Sequence, residues 1–255
     1  MLNLCAPERT VRRNTHLALV LTAIAGILNS VGFVAVATYT SHMTGIVASM
    51  ADAAVLHAPG LVGTGLLALA MFILGAVVCA LVFNWGRVNG LRSRYANILL
   101  LEGVGMLVFG LLAEHVRDAH RPLVVVAVLC FTMGLQNALI TRIGAWPIRT
   151  THVTGMVTDI GVELGKILYR NAPAAAAPVV GEPRRVGLLA LLVALFFLGG
   201  VAGAAGYLWL GFEVVIPVAA AHRPPPAGPR PAGRVAHTKA ETPVRARPTI
   251  RVFMP

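Results

Sequence analysis

The sequence predicts an all-α fold: a polytopic helical membrane protein made of two inverted three-span repeats, with the sixth span short or truncated. Three observations predict it. Hydrophobic residues make up 57% of the 255 residues and charged residues only 12%, whereas soluble proteins carry about 25% charged residues. Several stretches reach the roughly 20 apolar residues that cross a bilayer. A short polar motif also occurs twice, each time after an apolar stretch.

Five apolar stretches are long enough to be spans. They run from Leu17 to Thr38, Leu61 to Phe83, Tyr95 to Ala113, Leu123 to Thr141 and Val186 to Leu210. The next apolar segment, residues 212–221, is too short to be assigned as a sixth span. Arginines precede the first stretch, as they do in secretion signals, but its length of about 22 residues exceeds the usual 7–15. An uncleaved first span is therefore favoured.

Basic residues alternate between the loops. Lys and Arg number 3 before the first span, then 0, 3, 2 and 6 in the successive loops, and 7 in the tail. Basic loops stay on the cytoplasmic side of a membrane. The N-terminus and loops 84–94 and 142–185 are therefore expected in the cytoplasm, and loops 39–60 and 114–122 outside. The basic tail favours a cytoplasmic C-terminus, which requires a sixth crossing.

The repeated motif is Ser41–Val47, which returns as Thr151–Val157. Four of the seven positions are identical, at an offset of 110 residues. Gly-Ile-Leu-Asn-Ser at 26–30 precedes the first copy, and Gly-Leu-Gln-Asn-Ala at 134–138 precedes the second. Three predicted crossings separate equivalent points, and an odd number of crossings inverts the second half. Inverted repeats of this kind occur in several transporter folds.

A second correspondence joins spans two and five. Phe72–Ala76 resembles Phe196–Gly200 at an offset of 124 residues. Gly199 and Gly203 are also spaced as in a small-x-x-x-small contact face between helices. The correspondence supports the inverted-repeat arrangement.

The chain accordingly divides into four parts. These are a cytoplasmic N-terminal segment (1–15), a first membrane repeat (16–113), a second membrane repeat (114–221) and a tail (222–255). The tail is rich in Pro and Arg and is expected to be disordered. Residues 171–185 contain three prolines and a run of four alanines, so we interpret them as a flexible cytoplasmic linker within the second repeat.

The two motif copies are the candidate substrate-binding site. Its residues are Ser41, His42, Thr44, Gly45, Thr151, His152, Thr154 and Gly155. A stretch of helical character follows each copy, and the expected N-cap is the first or second Ser/Thr of each copy. Helix N-termini favour anions. Two interpretations stay open: the helices dip towards the bilayer midplane, or they lie along the interface with ordinary turn residues.

Other polar residues have two possible roles. His42 and His152 either relay protons or hold their turns by bonding a backbone carbonyl, and we favour the second role. Glu102 lies well inside a span, where a carboxylate costs about 2.5–3.5 kcal/mol or more. It is either a proton-coupling or cation site, or a bundle contact with one of the amides Asn29, Gln136 and Asn137. These amides line a path or bond across helices.

Charged residues after the second motif copy have a simpler interpretation. Asp159, Glu163 and Lys166 follow one another at helical spacing, which is typical of a solvated helix face. The net charge of +11 comes from loops and the tail, and aromatic residues make up only 6% of the chain. No nucleic acid is therefore expected as a partner.

The expected partners are the lipid bilayer, anionic lipid headgroups at the basic loops and tail, and a small polar solute; homo-oligomerisation stays open. No catalytic residue, metal site or cofactor is predicted, because no enzyme motif and no Cys-x-x-Cys occurs among the three cysteines, Cys5, Cys79 and Cys130. The leading hypothesis is a transporter or channel-like protein for a small polar or anionic solute. The alternatives are a non-transporting scaffold or regulatory protein and, less favoured, an intramembrane enzyme.

At both motif copies the chain resembles the YoaK-type family of bacterial multi-pass membrane proteins of unknown function. The matching segments are 26–30, 41–45, 134–138 and 149–155, within about residues 16–211. The resemblance implies a bacterial inner-membrane protein, usually with six spans, and implies no established activity. Two features depart from the family: Ile46 stands where a polar residue is frequent, and Pro-rich sequence curtails the last span after Val218.

Overall fold

A computed structural model describes residues 11–91, 94–143, 150–171 and 177–221. Over these residues the chain is helical and contains no strand. The helices are α1 (Val11–Val36), α2 (Met43–Val55), α3 (Pro59–Val88), α4 (Arg94–Leu112), α5 (Arg121–Ile143), α6 (Val153–Leu168), α7 (Pro183–Leu210) and α8 (Val215–Ala221), with 3₁₀ turns at Ala113–His115 and Gly211–Val214. The predictions for residues 1–10 and for the tail lie outside the described residues.

Five of these helices, α1, α3, α4, α5 and α7, are long and apolar enough to cross a membrane. The five predicted spans are confirmed, with boundaries that differ by up to six residues. Only 22% of the most apolar stretch of α3 and of α7 is buried, against 50% in α1 and α4 and 61% in α5. The interior of the bundle therefore belongs to α1, α4 and α5, and the apolar outer faces of α3 and α7 suit contact with lipid.

Glycines bring α1 and α7 into backbone contact. A methyl group added at Gly199 would collide with the carbonyl oxygen of Ala23, and one at Gly203 would lie 2.5 Å from the carbonyl oxygen of Ile27. Residues four apart in α7 thus meet residues four apart in α1, in the same order, so the two helices run in the same direction. The contact face predicted for Gly199 and Gly203 is confirmed, because the missing side chains let the backbones approach closely.

The contact between α3 and α5 repeats that between α1 and α7. A methyl group added at Gly134 would collide with the carbonyl oxygen of Phe72, and one at Gly26 with that of Phe196. These are equivalent pairs: the glycines are related by 108 residues and the phenylalanines by 124. The correspondence between spans two and five therefore marks the two points where long helices cross.

The helices that precede the motif copies, α1 and α5, lie side by side in the core. Gln136 Nε2 donates a hydrogen bond to the Leu21 carbonyl oxygen at 2.5 Å. Nearer the other end of α1, a methyl group at Gly32 would lie 3.5 Å from Leu129. Residue numbers thus rise along α1 while they fall along α5, and the two helices run in opposite directions.

The last described segment turns back onto α4. Gly211 has φ of 60°, a backbone conformation that glycine adopts without strain, and the Phe212 N–H donates to Glu114 Oε1 at 3.2 Å. A methyl group at Gly110 of α4 would lie 3.0 Å from Ile216 of α8. The seven residues of α8 cover about 10 Å. The described part of the sixth segment is therefore short, as expected.

Candidate functional site

Each motif copy forms the turn that leads into a short helix, α2 or α6. Residues 40–48 and 150–158 have the same pattern of buried and exposed positions throughout. His42 has φ −94° and ψ 67°, and His152 has φ −89° and ψ 60°. The two copies therefore adopt one conformation, and the sequence repeat is also a repeat of local structure.

The predicted N-caps are wrong, since histidines occupy that position in both helices. The residues expected there were Ser41 or Thr44 and Thr151 or Thr154. Neither histidine side chain makes a capping hydrogen bond to its helix. The first bonds of the two helices run from Ile46 N to His42 O at 3.0 Å and from Met156 N to His152 O at 3.1 Å. The N–H groups of the three residues before each bond have no intrahelical acceptor.

Two asparagines of the central helices hold the turns. Asn29 Oδ1 accepts the Ser41 N–H at 3.1 Å and the Ser41 hydroxyl at 2.9 Å. Asn137 Oδ1 accepts the Thr151 hydroxyl at 2.8 Å, and its Nδ2 donates to the Met133 carbonyl oxygen at 2.9 Å. The hydroxyls expected to cap the helices are therefore used to tie the turns to α1 and α5.

These ties place the starts of α2 and α6 well away from the ends of the long helices. Asn29 lies seven residues before the end of α1, and Asn137 lies six before the end of α5, which is a setback of about 10 Å. Each asparagine also lies three residues after a crossing glycine, Gly26 or Gly134, within about 5 Å along the helix axis. Both turns are therefore close to the level at which the long helices cross.

The packing of α2 on α3 gives the same level independently. Only three residues, 56–58, join the two helices, so they form an antiparallel hairpin. A methyl group at Gly65 of α3 would lie 2.7 Å from Met50 Sδ of α2. Counted back from this contact, Met43 at the start of α2 is level with about residue 72, near the middle of α3.

A buried ion-pair cluster holds α6 against the start of α7. Glu163 is 3% exposed; its Oε1 accepts Lys166 Nζ at 2.8 Å and Arg185 Nη1 at 3.3 Å, and its Oε2 accepts the Glu182 N–H at 3.1 Å. Arg185 also bonds Asp159 Oδ2 at 3.2 Å. The solvated-face interpretation is wrong for Glu163, because these donors take the place of water. The Lys166 hydrogen bond, more than the Glu182 N–H, lowers the pKa of Glu163.

The imidazoles of both histidines lie over the glycine three residues later. A methyl group at Gly45 would collide with the His42 ring, and one at Gly155 with the His152 ring. Within the described chain neither ring makes a hydrogen bond, so the expected bond to a backbone carbonyl is not seen. Ring-on-glycine packing explains why glycine follows histidine at this spacing in both copies, and both histidines are exposed.

Sequence reasoning misses two residues that directly precede the motif copies. Thr40 and Thr150 are both fully buried, and neither hydroxyl has a hydrogen-bond partner among the residues described. Gln136 Oε1 is another buried oxygen without a hydrogen-bond partner among the described residues. The repeat itself carried the signal, because the two threonines share the motif offset of 110 residues.

Glu102 is buried in α4, where it is 2% exposed. The hydrogen bonds found for the three amides run to the motif turns and to the backbone carbonyls of Met133 and Leu21, so the suggested contact with Glu102 is not seen among them. No group of three or more His, Cys, Asp or Glu that could hold a metal ion occurs in the part of the chain that the structure describes.

Comparison with known proteins identifies a family for the chain but no activity. No curated protein and no solved structure matches the chain. The family match extends from within α1 to the residue after α8 and includes both motif turns, both asparagines and Glu102. Residues 17–222 match the family described as Protein of unknown function (DUF1275), and the chain belongs to that family.

Proposed function

We propose that the chain is a YoaK-type inner-membrane transporter or channel-like protein for a small polar or anionic solute, built from two inverted repeats. The observation that carries the proposal is the level of the two motif turns. Both helices α2 and α6 begin beside the crossing points of the long helices, so their starts lie near the middle level of the bundle. Interfacial helices would begin at the ends of the spans.

Helix directions and contacts support the inverted arrangement. The pairs α1–α7 and α5–α3 cross through equivalent glycines, while α1 and α5 are antiparallel. Trp85 and Trp209 stand near the C-terminal ends of α3 and α7 at an offset of 124 residues, and both are exposed. Tryptophan is enriched at both faces of a membrane. In an inverted pair the two tryptophans mark opposite faces, and α2 and α6 enter from opposite sides.

The chemistry of the turns favours a polar or anionic solute. Each helix start presents N–H groups without intrahelical acceptors and a partial positive charge. Irregular backbone at this level is tolerated where it packs on protein or lines a water-filled cavity. Since Ser41 and Thr151 are bound to asparagines, we assign them positioning roles. Solute contact then falls to the backbone N–H groups and to the exposed Thr44 and Thr154.

The remaining roles follow from position. Glu102 is buried in α4 and is the candidate proton-coupling group. The N-terminus is cytoplasmic in this proposal, so α2 enters from outside and α6 from the cytoplasm. Basic loops on the cytoplasmic side contact anionic lipid headgroups.

Labelling of single cysteines tests the topology on which the proposal depends. In a background without Cys5, Cys79 and Cys130, we expect Thr44→Cys to react with a membrane-impermeant maleimide added outside, and Thr154→Cys with reagent added to inside-out vesicles. The matched controls are Leu56→Cys and Tyr169→Cys at the far ends of the same helices, and these should react faster. Reaction of both turn positions from one side overturns the inverted arrangement.

Flux measurements test transport itself. A deletion strain is screened for altered uptake and efflux of a panel of small solutes, and the purified protein is then reconstituted in vesicles with any solute found. We expect the double variant His42→Ala/His152→Ala to lose flux, because the rings pack on the glycines that begin the two helices. Unchanged flux in this variant rejects the site. An absence of flux for every solute, together with the expected labelling, favours the scaffold.

A further inference from the structure

We infer that the second motif turn contains a recognition point for a hydrogen-bond donor of the solute, formed by Gln136 Oε1 and Thr150 Oγ1. The inference rests on the proposed function for its role in the protein. It narrows the solute class: the molecule carries at least one N–H or O–H group beside any anionic group. A donor-free anion is bound by the helix starts alone.

The orientation of Gln136 follows from its one hydrogen bond. The side chain is fully buried between α5 and α1, and Nε2 donates to the Leu21 carbonyl oxygen at 2.5 Å. A carbonyl oxygen only accepts, so the amide NH₂ must face Leu21 and Oε1 must face away. This oxygen has no partner among the described residues. Buried polar atoms are rarely left in this condition unless a ligand or water completes them.

Thr150 lies at the same level of the bundle. The residues that follow Thr150 and Gln136 are bonded to each other, Thr151 to Asn137 at 2.8 Å. The start of α6 also reaches α1, where Leu19 packs on the same apolar cluster as Val153, two residues from the carbonyl that Gln136 binds. Residues 19–21 of α1, residues 136–137 of α5 and the start of α6 are therefore brought near one another. Gln136 Oε1 and Thr150 Oγ1, both buried and without a partner among the described residues, belong to these segments.

The chemistry of these two oxygens defines what they recognise. The Gln136 amide oxygen is an acceptor only, whereas the Thr150 hydroxyl both donates and accepts. An anion without hydrogen atoms cannot satisfy Gln136 Oε1. An ammonium, amide or hydroxyl group can, and Thr150 can accept a second hydrogen from the same group.

The first half lacks this recognition point. The position equivalent to Gln136 is Leu28, which is fully buried, although Thr40 repeats the unpartnered threonine. Donor recognition is therefore confined to the second turn. A solute that carries both an anionic group and a hydrogen-bond donor can be oriented at the second turn, because only this turn has an acceptor for the donor.

The test measures thermal unfolding of the purified full-length protein with three probes. Ammonium is a cationic donor, acetamide a neutral donor and acetate an anion without a donor at neutral pH. We expect ammonium or acetamide to raise the unfolding midpoint, and Gln136→Leu to need about tenfold more of that probe for the same shift. The response to acetate should not change. Comparison of ammonium with acetamide separates a cationic from a neutral donor.

A matched control lies one turn earlier on α5. Thr132→Val removes a buried hydroxyl that is already bonded to the Val128 carbonyl at 2.9 Å, and it should respond to the donor probes as the natural protein does. Gln136→Met, which also lacks an acceptor, serves if Gln136→Leu does not fold. Without probe, either variant should be at least as stable as the natural protein. A lower midpoint with an unchanged donor response would identify Gln136 as interhelical packing only.

The outcomes separate this inference from transport. Equal donor responses in the natural protein and Gln136→Leu, or no response of the natural protein to either donor, overturn the recognition point. A Gln136-dependent donor response in a protein that carries no flux leaves the recognition point standing and rejects transport. If Gln136→Leu does not alter the flux of a donor-bearing solute, transport stands and the recognition point is rejected.

Discussion

The hairpins α2–α3 and α6–α7 bring a short helix to equivalent levels by different means. Three residues connect the first pair and 14 connect the second. At the equivalent buried position, α2 has Ala53 and α6 has Glu163, and both residues are 3% exposed. Arg185, which binds Glu163, has Leu61 as its counterpart. The first hairpin is held by a short connection and apolar packing, whereas the second adds ion pairs to its apolar packing.

This difference means that the two short helices reach equivalent positions but should respond differently to pH and salt. The α2–α3 hairpin has a three-residue connection and apolar packing, and no ion pair among its described residues, so it should respond little to pH or salt. The packing of α6 on α7 includes ion pairs, whose charge and screening vary with conditions. We therefore expect the two halves to share their response to changes at the helix crossings and to differ in their response to changes of charge.

The largest effect should come from the crossing glycines and should be equal in the two halves. In Gly26→Ala and Gly134→Ala the new methyl group meets a backbone carbonyl oxygen of the neighbouring helix, which cannot move aside as a side chain can. We expect each change to lower the free energy of unfolding by about 3 kcal/mol. Unfolding in detergent and the monodisperse fraction after extraction measure it.

The control for this prediction is a second pair of related glycines. Gly63 of α3 and Gly187 of α7 are equivalent, and a methyl group at either would meet no atom within 4 Å. Gly63→Ala and Gly187→Ala should each stabilise the protein by about 0.5–1 kcal/mol, since alanine suits a helix better than glycine. If only one half tolerated the crossing substitutions, the halves would not share a packing scheme.

Acid should release α6 and leave α2 in place. The pKa of Glu163 is lowered from its ordinary value of 4.5, chiefly by the Lys166 hydrogen bond. The stabilisation that ionised Glu163 gives to the packing of α6 is therefore complete above pH 4.5. It is lost as the pH falls through the lowered pKa. The charged groups that face it are Lys166, Arg185 and, through Arg185, Asp159. Hydrogen exchange corrected for its intrinsic pH dependence should quicken in α6 relative to α2.

Variants of the cluster sharpen this test. Glu163→Gln should show fast α6 exchange already at neutral pH, and acid should add only the smaller loss of the ion pair between Asp159 and Arg185. Asp159→Ala should have a smaller effect than Glu163→Gln, because Asp159 is 48% exposed and pairs with Arg185 alone among the described residues. Fast exchange of α2 in the same acid range would show that global unfolding, rather than release of α6, is being measured.

The hydrogen bonds from Asn29 and Asn137 to the motif turns should stabilise the two halves by moderately different amounts. Asn29 accepts two hydrogen bonds from Ser41, and Asn137 accepts one from Thr151. Asn29→Ala is expected to cost about 2 kcal/mol and Asn137→Ala about 1 kcal/mol. Double-mutant cycles with Ser41→Ala and Thr151→Val, measured by chemical unfolding, isolate the hydroxyl bond of each half. The cost of Asn29→Ala beyond this coupling energy includes the bond from the Ser41 backbone N–H, which Ser41→Ala keeps. Equal total costs of Asn29→Ala and Asn137→Ala would remove the asymmetry.

The sequence was sufficient for the parts of the fold that depend on local pattern. Five spans follow from uninterrupted apolar length, and the repeated motif predicted two turns of one kind. The spacing of Gly199 and Gly203 predicted one helix contact, because glycine leaves room for a neighbouring backbone. Each of these properties is carried by residues close together in the chain.

Long-range competition accounts for the errors. Ser41 and Thr151 are good N-cap residues, but Asn29 and Asn137 bind their hydroxyls from 12 and 14 residues away. Glu163 and Lys166 have the spacing of an exposed helix pair, and burial results from Arg185, 22 residues further on. Helical periodicity does not extend that far. The repeated asparagines were the available clue, since both precede their motif at nearly the same distance.

The smallest effect tests the short connection of the first hairpin. His57 ends α2 with φ of 55°, and the Ala58 N–H bonds the Ala53 carbonyl oxygen at 2.9 Å. A left-handed backbone costs a non-glycine residue about 1–2 kcal/mol. His57→Gly should therefore stabilise the protein by about 0.5–1 kcal/mol after the added flexibility of the unfolded chain is subtracted.

The matched position is Gly90, which ends α3 with φ of 63° and already has the favoured residue. Gly90→Ala should lower the free energy of unfolding by about 1 kcal/mol, measured by the same unfolding assay. After α6 the chain continues extended, with Tyr169 at φ −70° and ψ 128°, so no glycine substitution there offers the same gain. His57→Gly should slow hydrogen exchange in α2 and leave α6 unchanged. Slower exchange in both helices would mean that the first connection stabilises the whole bundle rather than its own hairpin.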